Sequence, residues 1–211
     1  MLKHASVAVL FIVLAPQTVH AFDHHHHHHS SGDGAGCGGP SESASASDEG
    51  APTPTSSHKR VFVTSTMVSG ALGGATGADA ECDARAAAAG LSGVFRAWLS
   101  DGATGAYDRA PDVGPWYTTG DAVAFSSKID LRGAPQSELL DEHGGHAEPV
   151  GVWSGSDASG AATANDCVGW TSAAIDATGT AGSALRLDAT WGGGDAPRAC
   201  NSAAPIVCFQ E

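Results

Sequence analysis

From residue 59 onward the chain is a succession of short apolar runs cut by Gly, Asp and Ser, with one stretch of a different kind. Lys59-Arg60-Val61-Phe62-Val63-Thr64-Ser65 has the β-branched and aromatic content of a strand. Phe95-Arg96-Ala97-Trp98-Leu99-Ser100 alternates as a strand does and stops at the turn pair Asp101-Gly102. Shorter strand candidates are residues 122–125, 150–153, 168–171 and 206–209. Residues 79–89 break this rhythm: they are Ala-rich, open on Asp and Glu and stop at Gly90, which are helix start and stop signals. Residues 133–148 are acidic and polar with neither period, which predicts a loop. The sum is an α+β chain of short strands, one clear helix and long loops, without an internal repeat.

Upstream of residue 59 this patterning stops. Lys3 and His4 precede an apolar run over residues 5–15, and Val19-His20-Ala21 offers small residues at a cleavage site. Residues 1–21 therefore read as a secretory signal peptide. Residues 22–32 contain His24 to His29 and the Ser-Ser-Gly after them, an affinity tag that carries no biological meaning. With His4 and His20 in the signal, only His58, His143 and His146 remain for chemistry. Residues 33–58, rich in Gly, Ser, Ala, Pro and Thr, cannot bury enough surface to offset their ordering entropy and read as a flexible tether. Within it, Gly34-Ala35-Gly36-Cys37-Gly38 resembles the acylation site of bacterial lipoproteins, although Gly34 stands where a large aliphatic residue is expected. Cys37 is thus a candidate lipidation site, and the expected location is secreted or on the cell surface, as for a bacterial outer-membrane lipoprotein.

Charge narrows the partners. The 10 Lys and Arg against 23 Asp and Glu leave a net charge of −13. Such acidity argues against a nucleic-acid partner, whose phosphates need clustered Lys and Arg. No apolar run reaches the roughly 18–20 residues that span a bilayer, so no transmembrane segment is expected. Residues 59–211 are long enough for one buried core. They hold Cys82, Cys167, Cys200 and Cys208, an even set that reads as a disulfide framework behind a signal peptide. No Cys-x-x-Cys spacing suggests zinc or redox chemistry, and the residues alone leave three pairings open.

The pieces and their order resemble a family. Beside the first strand candidate stand the Gly-rich Ser69-Gly70-Ala71-Leu72-Gly73-Gly74 and then Gly77-Ala78-Asp79-Ala80-Glu81-Cys82. Later come Phe95-Arg96-Ala97-Trp98-Leu99-Ser100-Asp101, Gly151-Val152-Trp153-Ser154-Gly155, Cys167-Val168-Gly169-Trp170-Thr171 and Ile206-Val207-Cys208-Phe209. Together they resemble the bacterial endostatin-like surface lipoproteins over essentially all of residues 59–211. The resemblance implies a C-type lectin-like, endostatin-like fold of mostly short antiparallel strands, with termini that meet and a long ligand-carrying loop region. It also implies the nested disulfides Cys82–Cys208 and Cys167–Cys200. Members of that family are associated with adhesion to extracellular matrix and with host complement regulators.

Candidate chemistry divides into several weaker signals. Trp98, Trp153, Trp170 and Trp191 read as core rather than sugar-stacking platforms. Gly192-Gly193-Gly194 reads as a tight turn. Against the sugar-binding calcium pattern of C-type lectins, Glu148-Pro149-Val150 lacks an Asn oxygen, Asn165-Asp166-Cys167 keeps an acid before Cys, and Trp191-Gly192-Gly193 lacks two further oxygens. Ca²⁺ takes six to eight oxygens, so the shell is depleted. His143 and His146 with Glu148 are a candidate transition-metal set, Zn²⁺ included, without helical preorganisation. No cofactor is therefore expected, with Ca²⁺ and Zn²⁺ as the two to test. No Gly-x-Ser-x-Gly elbow is present and the domain cysteines are expected oxidised, so no catalytic residue is assigned and the chain is not read as an enzyme.

The expected role is an adhesin-like binding module for an extracellular protein or glycan. Alternatives are a structural envelope component without a soluble ligand and a calcium-dependent lectin. Binding residues tend to lie on loops held by a rigid scaffold, which points to Asp141, Glu142, His143, His146, Glu148 and Asp166. Their charge favours a basic patch on the partner.

Overall fold

The computed structural model describes residues 58–148 and 151–211. The signal peptide, the tag, the tether as far as residue 57, Cys37 and the Pro149-Val150 pair lie outside them. The main sheet is five-stranded in the order β2-β9-β1-β3-β4. Its strands are β1 (Lys59–Val63), β2 (Phe95–Ala97), β3 (Trp116–Tyr117), β4 (Val123–Phe125) and β9 (Val207–Gln210). The last strand lies antiparallel between the first two, with Phe62 opposite Cys208 and Ala97 opposite the same residue. β1 runs parallel to β3, which pairs antiparallel with β4. Two small antiparallel ladders complete the architecture. One joins β5 (Val152–Trp153) to β7 (Ala181–Gly182), the other β6 (Thr178–Gly179) to β8 (Arg198–Ala199). The fold is mixed α+β with few helices and short strands in small sheets. Among the described residues no helix is long and apolar enough to cross a membrane.

The main helix, α1 (Gly74–Ala88), begins five residues before the position its acidic residues suggested. Asp79 looked like a helix-start residue, but its work is tertiary. Its carboxylate is buried and accepts the Ala97 N–H of β2 at 2.9 Å and the Arg109 guanidinium at 2.8 and 3.0 Å. Arg109 closes the short helix α2 (Ala106–Arg109) and donates from its other terminal nitrogen to the Leu99 carbonyl at 2.7 Å. One carboxylate thus fastens α1, β2 and α2 together. The helix start instead falls to Gly73, whose left-handed φ of 82° a side chain would resist and whose N–H donates to the Trp170 carbonyl.

The core reading of the tryptophans holds. Trp98, Trp153, Trp170 and Trp191, together with Trp116, are all fully buried. Burial of an indole leaves an N–H in need of an acceptor. Trp98 donates to Gly192 O, Trp116 to Gln210 O, Trp153 to Val68 O and Trp170 to Ser100 O, each at 2.7–2.9 Å. These bonds tie loop backbone to the core across separations of up to 94 residues. They also revise the glycine run. Gly194 does sit at φ +89°, but Gly192 and Gly193 serve close approach, since an added Cβ would stand 2.6 Å from the Trp98 indole nitrogen and 2.3 Å from Ser156 O.

Cysteines pair as Cys82–Cys208 and Cys167–Cys200. The first bond ties α1 to the central strand; the second holds the segment expected as a strand over residues 168–171. That segment is no strand. Cys167, Val168, Gly169 and Trp170 have φ of 53°, 59°, 64° and 60°, a left-handed turn. Outside glycine each such residue costs about 1–2 kcal/mol, so the surroundings must impose it. The disulfide fixes Cys167, the Asp166 carboxylate accepts the Gly169 N–H at 3.0 Å, and the buried Trp170 indole is held by Ser100. Of the other strand candidates, 59–65 pairs only as Lys59–Val63, 95–100 as Phe95–Ala97, 122–125 as Val123–Phe125 and 150–153 as Val152–Trp153, whereas 206–209 shifts by one residue to Val207–Gln210.

Loop lengths of 126 and 33 residues assign about 5 and about 4 kcal/mol to the two disulfides in the chain-entropy model. Replacing Cys82 and Cys208 by Ala should therefore lower the urea midpoint more than replacing Cys167 and Cys200, provided the left-handed turn survives. Asp79→Ala strips partners from Arg109 and from the Ala97 N–H inside the protein. It should cost about 3–5 kcal/mol in equilibrium unfolding, whereas Arg96→Ala, whose side chain is largely exposed beside Asp79, should cost under about 1 kcal/mol.

Candidate functional site

The acidic loop is stitched to the end of β1 rather than hanging free. Val63 N–H donates to Leu140 O at 2.9 Å, and Asp141 forms a parallel bridge with Val63. Leu139 and Ala147 are buried and anchor the two ends of the tight turn between them. Inside the turn, Asp141 N–H donates to Gly145 O at 2.8 Å, and Gly144 takes a φ of +83°. The Asp141 side chain preorganises this shape, its Oδ1 accepting the N–H groups of His143 and Gly145 at 2.9 and 2.7 Å. Thr119 Oγ1 fixes the turn from outside by donating to Asp141 O.

Three of the six expected binding residues meet here. Asp141, His146 and Glu148 line a cleft of about 120 Å³ with Thr64, Ser65, Met67, Ala147 and Pro205. His146 is exposed and its Nδ1 lies 3.0 Å from Glu138 Oε1. His143 is exposed on the turn, with Nε2 3.9 Å from Glu142 Oε1. Met67 contributes a half-exposed thioether at the rim.

Glu142 departs from the expectation of an exposed binding charge. Its side chain is only 1% exposed. One oxygen accepts the Ser65 N–H at 2.7 Å and the other the Ser65 hydroxyl at 2.6 Å. Its role is to clamp the loop to the end of β1. A contact across 77 residues leaves no local signal, so the sequence pattern offered nothing to separate Glu142 from its neighbours. The same holds for Ser65, which read only as the end of a strand.

Asp166 is not part of the cleft. It caps the left-handed turn, and Asn165 beside it accepts from Thr178 Oγ1 at 2.7 Å. Of the residues aligned with the lectin calcium pattern, Asn165 and Asp166 are engaged in local structure, Glu148 lines the cleft, and Trp191 is buried. Among the described residues no group of three or more His, Cys, Asp or Glu side chains is placed to hold a metal ion, the set His143, His146 and Glu148 included. Neither a family model nor a curated protein matches this chain.

The contrast between the two neighbouring glutamates is measurable. Glu142→Ala removes the shared acceptor of the Ser65 N–H and hydroxyl and should destabilise by about 1–2 kcal/mol in urea unfolding. Glu148→Ala, at an exposed position, should stay within about 0.5 kcal/mol of the parent.

Proposed function

We propose that the chain is an extracellular or surface-tethered binding module, adhesin-like, that engages a basic patch on an extracellular protein through the loop at residues 138–148. The observation that carries this reading is the convergence of Asp141, His146 and Glu148 on one cleft at the end of β1. A turn built by its own backbone bonds and by the buried Glu142 clamp presents these groups with little ordering left to do on binding, which favours affinity. The net charge of −13 supports a basic partner and a steered on-rate.

The resemblance to endostatin-like surface lipoproteins agrees with this reading. The pairing of the first and last strands and the nested disulfides support the C-type lectin-like architecture it implies. In that reading Cys37 carries the lipid that tethers the domain to an outer membrane, and residues 38–58 give the binding face reach.

The test is binding to a panel of extracellular matrix proteins and a glycan array, with the Asp141→Asn, Glu148→Gln double variant alongside. Asn keeps the Oδ1 acceptor of the turn, so the loop should hold its shape while losing charge. Binding should weaken about five- to tenfold and become less salt-dependent. An unchanged affinity at low salt would overturn the loop as the binding face, and silence across both panels from folded protein would favour the structural envelope role.

A further inference from the structure

We infer that the cleft at residues Ser65, Asp141, His146 and Glu148 takes a single lysine side chain of the partner protein, recognised by its ammonium group. This rests on the binding-module reading and narrows it from a charged patch to one side chain.

The first argument is size. Ligand pockets for small molecules run to roughly 300–1,000 Å³, whereas this cleft encloses about 120 Å³. That is below the range of small-molecule pockets and suits the end of a single side chain.

The second argument is the direction of the hydrogen bonds. Ser65 Oγ spends its proton on Glu142, so toward the cleft it can only accept. Asp141 and Glu148 are carboxylates and accept. His146 Nδ1 is paired with Glu138 Oε1 at 3.0 Å. Even Thr64 Oγ1 donates its proton away, to Thr66 O at 2.8 Å. The two side-chain hydroxyls of the lining thus commit their protons elsewhere, and its carboxylates bring none. A carboxylate ligand would ask for donors; an ammonium group has three donors and no acceptor.

The third argument is charge without a counterion. Glu142 is buried and hydrogen-bonded to Ser65; its contacts are a backbone N–H, a hydroxyl and, at 3.9 Å, the His143 imidazole. Among the described residues no Lys or Arg forms an ion pair with Asp141, Glu142 or Glu148. A buried carboxylate in low dielectric attracts a cation more strongly than an exposed one. Met67, Ala147 and Pro205 offer apolar wall for the four-carbon stem. The compact ammonium suits a narrow cleft better than the broad planar guanidinium of arginine.

The full chain, titrated in solution and followed by its backbone amide NMR signals, tests this with three probes. They are N-acetyl-lysine methylamide, the same compound acetylated on Nζ, and N-acetyl-arginine methylamide. Shifts confined to Ser65, Asp141 and His146 with the free lysine compound, at least about fivefold weaker with the other two, would support the inference. Glu148→Gln should weaken the lysine response without altering the fold, so the result does not depend on a variant that unfolds. Equal response to the Nζ-acetylated compound, stronger response to arginine, or shifts mapping elsewhere would overturn it. If the lysine compound fails while a basic extracellular protein still binds and the Asp141→Asn, Glu148→Gln variant weakens it, the binding-module reading stands and the lysine assignment falls.

Discussion

The closure of the chain on itself governs this molecule. β9, the last strand, inserts between β1 and β2, and the Cys82–Cys208 bond fastens it to the helix packed on that sheet. Between the first and last strands the chain adds only β2, β3 and β4 to this sheet, each two or three residues long. The intervening chain has few strand partners to spare. It is therefore organised by point attachments rather than by long ladders: indole N–H groups on loop carbonyls, the Asp79–Arg109 pair, the Cys167–Cys200 bond and the Glu142–Ser65 clamp.

Point attachments have a particular energetic character. A backbone ladder shares its load over many bonds, whereas a buried carboxylate or indole concentrates it on one group whose loss leaves unsatisfied partners. Asp79 and Glu142 illustrate this, each accepting backbone and side-chain donors from a segment remote in sequence. The left-handed turn at Cys167–Trp170 is the strain counterpart. Its backbone is unfavourable locally and persists because a disulfide, a capping carboxylate and a buried indole all fix it at once.

The proposed binding face follows from the same principle. Glu142 draws the loop onto β1, and in doing so takes the Ser65 proton and places a negative charge under the cleft. Asp141 spends one oxygen on the turn that displays it. The groups that build the loop thereby set part of the polarity of what it presents.

Much of this chain could be read from its residues. The β-branched run at residues 59–65, the Ala-rich helix ended by Gly90 and the apolar character of the tryptophans all reflect preferences that act over a few residues, and the structure follows them. The candidate binding residues of the loop also stand out as an acidic, aperiodic stretch, and Asp141, His146 and Glu148 do share a cleft. What the residues could not convey was the assignment of each acid. Asp79, Glu142, Glu148 and Asp166 are chemically alike along the chain, yet the first fastens a helix, the second clamps a loop, the third faces a cleft and the fourth caps a turn. For Asp79 and Glu142 those roles depend on donors lying up to 77 residues away, and a contact of that range leaves no trace in local pattern. Local propensity chose the elements; long-range hydrogen bonding and two disulfides chose which polar groups were left to meet a partner.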